Sequence, residues 1–266
     1  MDLVGRQVEG MDKSVRLKRM EPEVEEDNLR IFATTMQKSG TNLLAQLIGN
    51  GHYLPYARGH VYKNIGIATI RPENLMEEGE LIDVLYRFSG FLYGHLPFDE
   101  KFVEPIFSTK TYFIQLIRDP RDIAVSQLHM IFKNPNARGN WLYPDGSRLS
   151  DHTDPLLKII GALPQRWASF LPWMDYDWNH VVRFEDLIKY PGSVAERLIK
   201  DIGPWYCYKL NLGDDIGAWM LRIKPHTSPT FRRGIVGEWK ETFEPHHVKE
   251  FERIMKPTME RLGYEL

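Results

Sequence analysis

Residues 29–44, Leu-Arg-Ile-Phe-Ala-Thr-Thr-Met-Gln-Lys-Ser-Gly-Thr-Asn-Leu-Leu, decide the fold of this chain. The first half is a short apolar and β-branched run, which predicts a buried strand. After the polar turn at residues 37–41, apolar residues return at helical spacing and predict a helix. A strand, a tight turn and a helix N-terminus form a site for an anion, because helix N–H groups and the positive end of the helix dipole face it. Lys38, Ser39 and Thr41 would add a positive charge and two hydroxyl donors. The alternative is a capped helix with a solvated lysine, and this stretch alone does not choose between them.

Other short apolar runs along the chain resemble the first one. Each run is followed closely by a polar or charged residue; the four residues are Lys38, His95, Arg118 and Glu185. Helical patterns separate the runs, so the chain is predicted to be a single α/β domain with a central parallel sheet flanked by helices. Ligands of such sheets bind beyond the carboxyl ends of the strands. We therefore expect these four side chains at one edge of the sheet, beside the P-loop-like strand–turn–helix phosphate site.

The domain organisation follows from the same patterns. Residues 1–28 are of mixed charge and are predicted to be an N-terminal arm, with the domain itself at residues 29–266. Helical patterns occupy residues 74–89, residues 156–171 with an interruption at Pro164, and residues 185–202. A last amphipathic helix begins near Pro245.

Composition excludes several classes of protein. The chain has 266 residues, 42% of them hydrophobic, and a formal net charge of −2, which gives no reason to expect nucleic acid or an anionic membrane as a partner. No run reaches the apolar length needed to span a bilayer, and the first residues do not resemble a signal peptide. The single cysteine, Cys207, excludes an intrachain disulfide and a cysteine-based zinc site. A cytoplasmic protein is the expectation.

Several segments, in the same order along the chain, resemble motifs of the sulfotransferase family that uses 3′-phosphoadenosine 5′-phosphosulfate (PAPS). Residues 35–41 resemble its 5′-phosphosulfate loop, T-Y-P-K-S-G-T, and residues 118–126 resemble its 3′-phosphate motif, R-(N/D)-P-x-D-x-x-V-S. Residues 184–187 are similar to its Y-E-D-L strand end, and residues 232–240 to its R-K-G…G-D-W-K loop. Residues 94–97 resemble the segment that carries the catalytic histidine in small-molecule members.

This resemblance implies transfer of a sulfuryl group from PAPS to a hydroxyl of a small-molecule acceptor, leaving 3′-phosphoadenosine 5′-phosphate (PAP), with no metal. It implies that Lys38 stabilises charge on the leaving 5′-phosphate oxygen and that His95 is the general base. The implied cofactor-binding residues are Lys38, Ser39, Gly40, Thr41, Asn42, Arg118, Ser126, Phe184, Arg232, Arg233 and Gly234.

The sequence also departs from the family pattern. Leu43 stands where many members have a tryptophan that stacks on adenine, and Gln37 replaces a proline. Arg233 replaces a lysine, and Tyr93 stands where animal cytosolic members have a second active-site lysine. The family's dimerisation motif has no counterpart after Lys240, so the sequence does not predict the oligomeric state.

The acceptor and two alternative functions stay open from sequence. The aromatic residues expected to line an acceptor pocket are Tyr53, Tyr56, Tyr93, Trp141 and Tyr143. A non-catalytic nucleotide-binding protein is one alternative. A P-loop kinase is the other, but its loop, G-x-x-x-x-G-K-[S/T], places glycine before the lysine, whereas Lys38 precedes Gly40.

Overall fold

A parallel sheet organises the computed structural model, which describes residues 30–50, 90–109, 111–133, 148–177, 179–202 and 233–266. The strands of the sheet are β1 (Arg30–Thr35), β2 (Gly90–Gly94), β3 (Tyr112–Ile117) and β4 (Asn179–Arg183). Their order is β2-β1-β3-β4, and each neighbouring pair is parallel. All four carboxyl ends therefore meet at one edge.

Helices connect and cover these strands. They are α1 (Thr41–Asn50), α2 (Val103–Ser108), α3 (Pro120–Lys133), α4 (Pro155–Ala168), α5 (Phe184–Lys189), α6 (Pro191–Ile202), α7 (Trp239–Thr242) and α8 (Pro245–Leu262). Short 3₁₀ turns occur at Glu100–Phe102, Leu149–Asp151 and Leu171–Asp175.

Apolar side chains pack on both faces of the sheet. One cluster joins alternate residues of β1, β3 and β4 to α1 and α6, including Ile31, Ile114 and Leu47. The other cluster joins α3, α4 and α8, including Trp167 and Phe251. Burial on both faces explains why the strands have almost continuous apolar sequences. The predicted α/β class with a central parallel sheet is confirmed.

Two helix predictions differ from the structure. Pro164 does not interrupt α4, which runs from Pro155 to Ala168. The buried face of α4 against α3 and α8 outweighs the loss of one backbone hydrogen bond at this proline. Residues 185–202 form two helices instead of one, because Tyr190 precedes Pro191 and adopts φ −136° and ψ 52°, outside the helical region.

Some expectations lie outside the described residues. They are the N-terminal arm at 1–28 and the helix at 74–89. Among the helices that are described, none combines the length and the apolar composition needed to cross a membrane.

Candidate active site

The loop between β1 and α1 reverses the chain within a few residues. Lys38 has φ 73° and Gly40 has φ 100°, both in the left-handed region, and the Ser39 N–H donates to the Met36 carbonyl at 3.1 Å. The Gly40 carbonyl accepts the N–H of Leu43 at 2.9 Å and so begins α1. Ser39 is fully buried, and within the described part of the chain its hydroxyl has no hydrogen-bond partner. A buried hydroxyl donor beside a helix N-terminus and a lysine is suited to an anionic ligand.

Gly40 is required at its position by a close neighbour. A Cβ atom built on Gly40 would lie 2.4 Å from Cδ2 of Phe184, the first residue of α5. The ring of Phe184 is 5% exposed and fills the space beside the loop. The absence of a side chain at Gly40 therefore lets the loop between β1 and α1 pack directly on Phe184 at the start of α5.

Arg118 connects three segments that are distant in sequence. Its Nη1 donates to the Lys38 carbonyl at 3.1 Å, and its Nη2 donates to the Ile235 carbonyl at 3.2 Å. The guanidinium lies 4.1 Å from the centre of the Phe184 ring and 4.0 Å from the Asp122 carboxylate. Burial lowers the pKa of Arg118, and the nearby carboxylates oppose that effect. Two elements of the predicted nucleotide site therefore meet at one buried guanidinium: the loop at Lys38 and the segment that follows Gly234.

Asp122 holds the C-terminal loop against α3. Its carboxylate accepts the N–H of Gly237 at 2.7 Å and the N–H of Trp239 at 3.1 Å. Burial raises the pKa of Asp122, while these N–H groups and the charge of Arg118 act in the opposite direction. The sequence pattern identified Asp122 only as an ion-pair partner of Arg118, since an acidic residue in the first turn of a helix is ordinarily explained by the helix dipole.

His95 is fixed by the end of β1. Its Nδ1 atom lies 2.7 Å from the Thr35 carbonyl oxygen and 2.9 Å from the Thr35 hydroxyl. That hydroxyl also lies 2.6 Å from the hydroxyl of Thr41, the first residue of α1. A carbonyl oxygen only accepts hydrogen bonds, so Nδ1 carries the proton and Nε2 has the lone pair of the neutral ring. Within the described ranges Nε2 makes no hydrogen bond, so it is available to take a proton.

The surroundings of His95 favour its neutral form. Burial lowers the pKa of the imidazole, and the positive charges of Arg166 and Lys38 lower it further. The hydrogen bond to the Thr35 carbonyl acts in the opposite direction. Arg166 is itself buried and donates to Gln127, and burial lowers its pKa to about 10. A neutral imidazole with a fixed tautomer is what a general base requires.

The structure brings some predicted site residues together. Thr41 and Asn42 form the first turn of α1 beside the loop. Ser126 lies on α3, and its place at the nucleotide stays a prediction. Gly234 has φ 62° and directly precedes Ile235.

Other predicted site residues lie elsewhere. Arg233 has a half-exposed side chain with Nη1 3.5 Å from the Glu238 carboxylate, so its place at the nucleotide stays a prediction. Tyr93 is partly buried and packs against the core cluster on the α1 side. Leu43, which is not a predicted site residue, packs against the same cluster. Five predicted residues lie outside the described ranges: Tyr53, Tyr56, Trp141, Tyr143 and Arg232.

A second polar cluster joins the N-termini of α4 and α8. His246 Nε2 and His247 Nε2 lie 2.8 Å and 2.9 Å from Oδ2 of Asp154. The other oxygen of Asp154, Oδ1, accepts the N–H of Leu157 and so caps α4. Partial burial acts to raise the pKa of Asp154, but these hydrogen bonds outweigh it and lower the pKa to about 2. The Glu244 N–H donates to His247 Nδ1, so the proton of that ring lies on Nε2. This tautomer suits helix capping and does not suit metal ligation through Nε2.

Solved structures of other proteins share the fold of this chain. The fold matches the crystal structure of mouse sulfotransferase SULT7A1 complexed with PAP, with a TM-score of 0.58 and 18% identity over 89% of this chain and 84% of that one. It also matches retinol dehydratase in complex with androsterone and inactive cofactor PAP, with a TM-score of 0.55 and 16% identity over 90% of this chain and 83% of that one.

Sulfotransferases are also found among the proteins that are similar to this chain in sequence. The 3-beta-hydroxysteroid sulfotransferase of Cavia porcellus is 22% identical, over 88% of this chain and 84% of the relative. Sulfotransferase 2A1 of Rattus norvegicus is 23% identical, over 89% of this chain and 86% of the relative. The family model of the sulfotransferase domain matches residues 29–263, and the chain therefore belongs to the sulfotransferase family.

Proposed function

We propose that this protein transfers a sulfuryl group from PAPS to a hydroxyl of a small-molecule acceptor. The observation that carries the proposal is the double contact of Arg118, whose guanidinium joins the loop at Lys38 to the segment at Ile235. A nucleotide with phosphate groups at the 5′ and 3′ positions of its ribose needs two anion sites a short distance apart. In this proposal the Lys38 loop, beside the N-terminus of α1, forms one of them, and the Arg118 guanidinium, bonded to that same loop, forms the other.

The 5′ end of the nucleotide belongs at the Lys38 loop. PAPS supplies a sulfuryl group on a phosphate that leaves as its bridging S–O bond breaks, and negative charge grows on that oxygen. In this proposal Lys38 and the N–H groups of the first turn of α1 stabilise this charge, and the buried Ser39 hydroxyl adds a donor. These donors are fixed by the fold before the reaction, so they need little reorganisation during it.

The 3′-phosphate belongs beside Arg118 and the start of α3. The planar fork of an arginine is suited to two parallel hydrogen bonds with a phosphate. Ser126, Arg232, Arg233 and Gly234 complete this site in the proposal. The Phe184 ring, already stacked on the Arg118 guanidinium, holds the fork in orientation.

His95 is the general base in this proposal. As the acceptor oxygen bonds to sulfur, its proton moves to Nε2 of His95. The Nδ1–H group keeps its hydrogen bond to the Thr35 carbonyl and so stabilises the imidazolium that forms. The bond to β1 also prevents the ring from rotating away from the neighbouring phosphate loop.

The acceptor is proposed to be an apolar alcohol or phenol. One sequence relative is named for 3-beta-hydroxysteroids, and a structural neighbour was solved with androsterone. Those names describe other proteins, and they make hydroxysteroids, retinol-like alcohols and simple phenols the first compounds to test.

The test is a mass-spectrometric assay of the purified protein with PAPS and each acceptor class in turn. The proposal predicts equal amounts of PAP and sulfated acceptor for at least one class. Tight binding of PAP without turnover of any acceptor would favour a non-catalytic nucleotide-binding protein. Phosphorylation of an acceptor by ATP and Mg²⁺, with no use of PAPS, would favour a kinase.

A further inference from the structure

The last residues of the chain fold back onto the start of α3. Helix α8 ends at Leu262, and Gly263 adopts φ 68° and ψ 35°, a left-handed helix cap. The N–H of Tyr264 then donates to the Met259 carbonyl at 2.9 Å, which turns the chain toward the sheet edge. As a result Tyr264 and Glu265 contact the region around Arg118 instead of continuing into solvent.

Tyr264 is linked to the Arg118 peptide through one carboxylate. Its hydroxyl donates to Glu185 Oε2 at 2.8 Å, and Glu185 Oε1 accepts the N–H of Asp119 at 2.9 Å. That N–H belongs to the peptide group that joins Arg118 to Asp119. Burial raises the pKa of Tyr264, and the negative charge of Glu185 raises it further, so the hydroxyl keeps its proton.

The residues after α8, 263–266, form a C-terminal tail. This tail is also held by contacts that do not involve the Tyr264 hydroxyl. Arg183 Nη2 donates to the Leu262 carbonyl at 2.6 Å, and its guanidinium lies 4.6 Å from the centre of the Tyr264 ring. Arg121 Nη2 donates to the Glu265 carbonyl at 2.8 Å. Removal of the Tyr264 hydroxyl should therefore leave the tail in place and change only the support of Glu185.

We propose that Tyr264 and Glu185 are positioning residues that orient Arg118 for recognition of the nucleotide 3′-phosphate. The inference rests on the proposed function, in which Arg118 contacts that phosphate. Glu185 fixes the peptide that follows Arg118, and Tyr264 fixes Glu185 by engaging its second oxygen. A two-bond contact between a guanidinium and a phosphate depends on orientation, so a small rotation of this peptide weakens it.

The experiment measures the affinities of PAP and 5′-AMP by calorimetry and takes their ratio, which isolates the contribution of the 3′-phosphate. Tyr264→Phe should lower PAP affinity roughly 3- to 10-fold, the range for one net hydrogen bond, and should leave 5′-AMP affinity unchanged. Tyr190→Phe is the matched control, because Tyr190 is half-exposed and, within the described residues, its side chain interacts with Lys189 and not with this cluster. It should change neither affinity.

Two further variants test whether the effect passes through Glu185. Glu185→Ala should lower the ratio at least as far as Tyr264→Phe. Glu185→Gln should restore part of it, because its amide oxygen can still accept the Asp119 N–H and its amino group can donate to the Tyr264 oxygen. A lower melting temperature with an unchanged ratio in Tyr264→Phe and Glu185→Ala would overturn the inference and leave Tyr264 purely structural.

The same ratio, measured for Arg118→Ala with and without Tyr264→Phe, distinguishes failure of this inference from failure of the proposed function. If Arg118→Ala collapses the ratio and Tyr264→Phe has no further effect in that background, the hydroxyl acts through Arg118. If Arg118→Ala collapses the ratio while Tyr264→Phe alone leaves it intact, only the positioning role is wrong. If Arg118→Ala itself leaves the ratio intact, the role of Arg118 in the proposed function and the positioning role are both wrong.

Discussion

The Nδ1 atom of His95 lies 2.7 Å from the carbonyl oxygen of Thr35, so the residue after β2 is bonded to the last residue of β1. The two strands are parallel neighbours, and this bond ties their carboxyl ends together. It sets the histidine tautomer and directs the basic Nε2 away from the strand ends. The candidate base is therefore oriented by the same strand that leads into the loop at Lys38.

Replacement of His95 should separate chemistry from nucleotide binding. His95→Ala should keep the affinity for PAP and lose most of the turnover of an alcohol, because a general base acts only on the acceptor proton. His95→Gln should be no better, since an amide forms hydrogen bonds and takes no proton. The measurements are calorimetric binding of PAP and steady-state rates per folded molecule. An alcohol that is sulfated at the wild-type rate by a folded His95→Ala variant would exclude His95 as the base.

The pH dependence of the wild-type enzyme should show a base that remains neutral in mild acid. Burial and the charges of Arg166 and Lys38 lower the pKa of His95, so its lone pair persists below the ordinary value of about 6.5. We expect kcat/KM to stay level through neutral pH and to fall only below that value, as protonation removes the acceptor. The profile should be measured with an alcohol and with an acidic phenol. An acid limb centred above pH ~7 would contradict the lowered pKa.

Removal of the Lys38 charge should impair turnover without unfolding the loop. Lys38 has φ 73°, a conformation that asparagine tolerates better than most residues, so Lys38→Asn removes the charge and keeps the backbone. Turnover at saturating acceptor should fall by at least ~10²-fold, the scale for one lost transition-state donor. The melting temperature should change little. Near-normal turnover in this variant would contradict the assigned role of Lys38.

A methyl group at Gly40 should disturb the loop through Phe184. The new Cβ would lie 2.4 Å from that ring at a backbone φ of 100°. Gly40→Ala should therefore cost ~1–3 kcal/mol of stability and weaken PAP binding. Gly161→Ala is the matched control, because a Cβ there meets nothing within 4 Å on an exposed face of α4. The control should stabilise the protein by ~0.5–1 kcal/mol in thermal or denaturant unfolding. Equal effects of the two variants would contradict the close packing at Gly40.

The sheet edge was predictable because local patterns define it. Lys38, His95 and Arg118 each follow a short apolar run, and this pattern identified them as residues at strand ends. The carboxyl ends of parallel strands lie at one edge of a sheet, so these three residues were expected together there. The strand–turn–helix at residues 29–44 needed no long-range information.

The long-range hydrogen bonds of the candidate site could not be predicted from local sequence patterns. The bonds of Arg118 to Ile235 and of Tyr264 to Glu185 join residues more than 75 positions apart, and no periodicity in the sequence relates them. Pro164 shows a related limit, since its effect on α4 depends on the packing of that helix and not on local propensity.

The most direct test of the two-site arrangement is a crossed titration of Arg118→Ala and Lys38→Asn with PAP, 5′-AMP and adenosine 3′-phosphate. Arg118→Ala should weaken PAP and the 3′-phosphate compound by ~1.5–3 kcal/mol and spare 5′-AMP. Lys38→Asn should weaken PAP and 5′-AMP and spare the 3′-phosphate compound. This crossed pattern is the predicted result. Equal losses of both monophosphates in each variant would contradict the assignment of one phosphate to each residue.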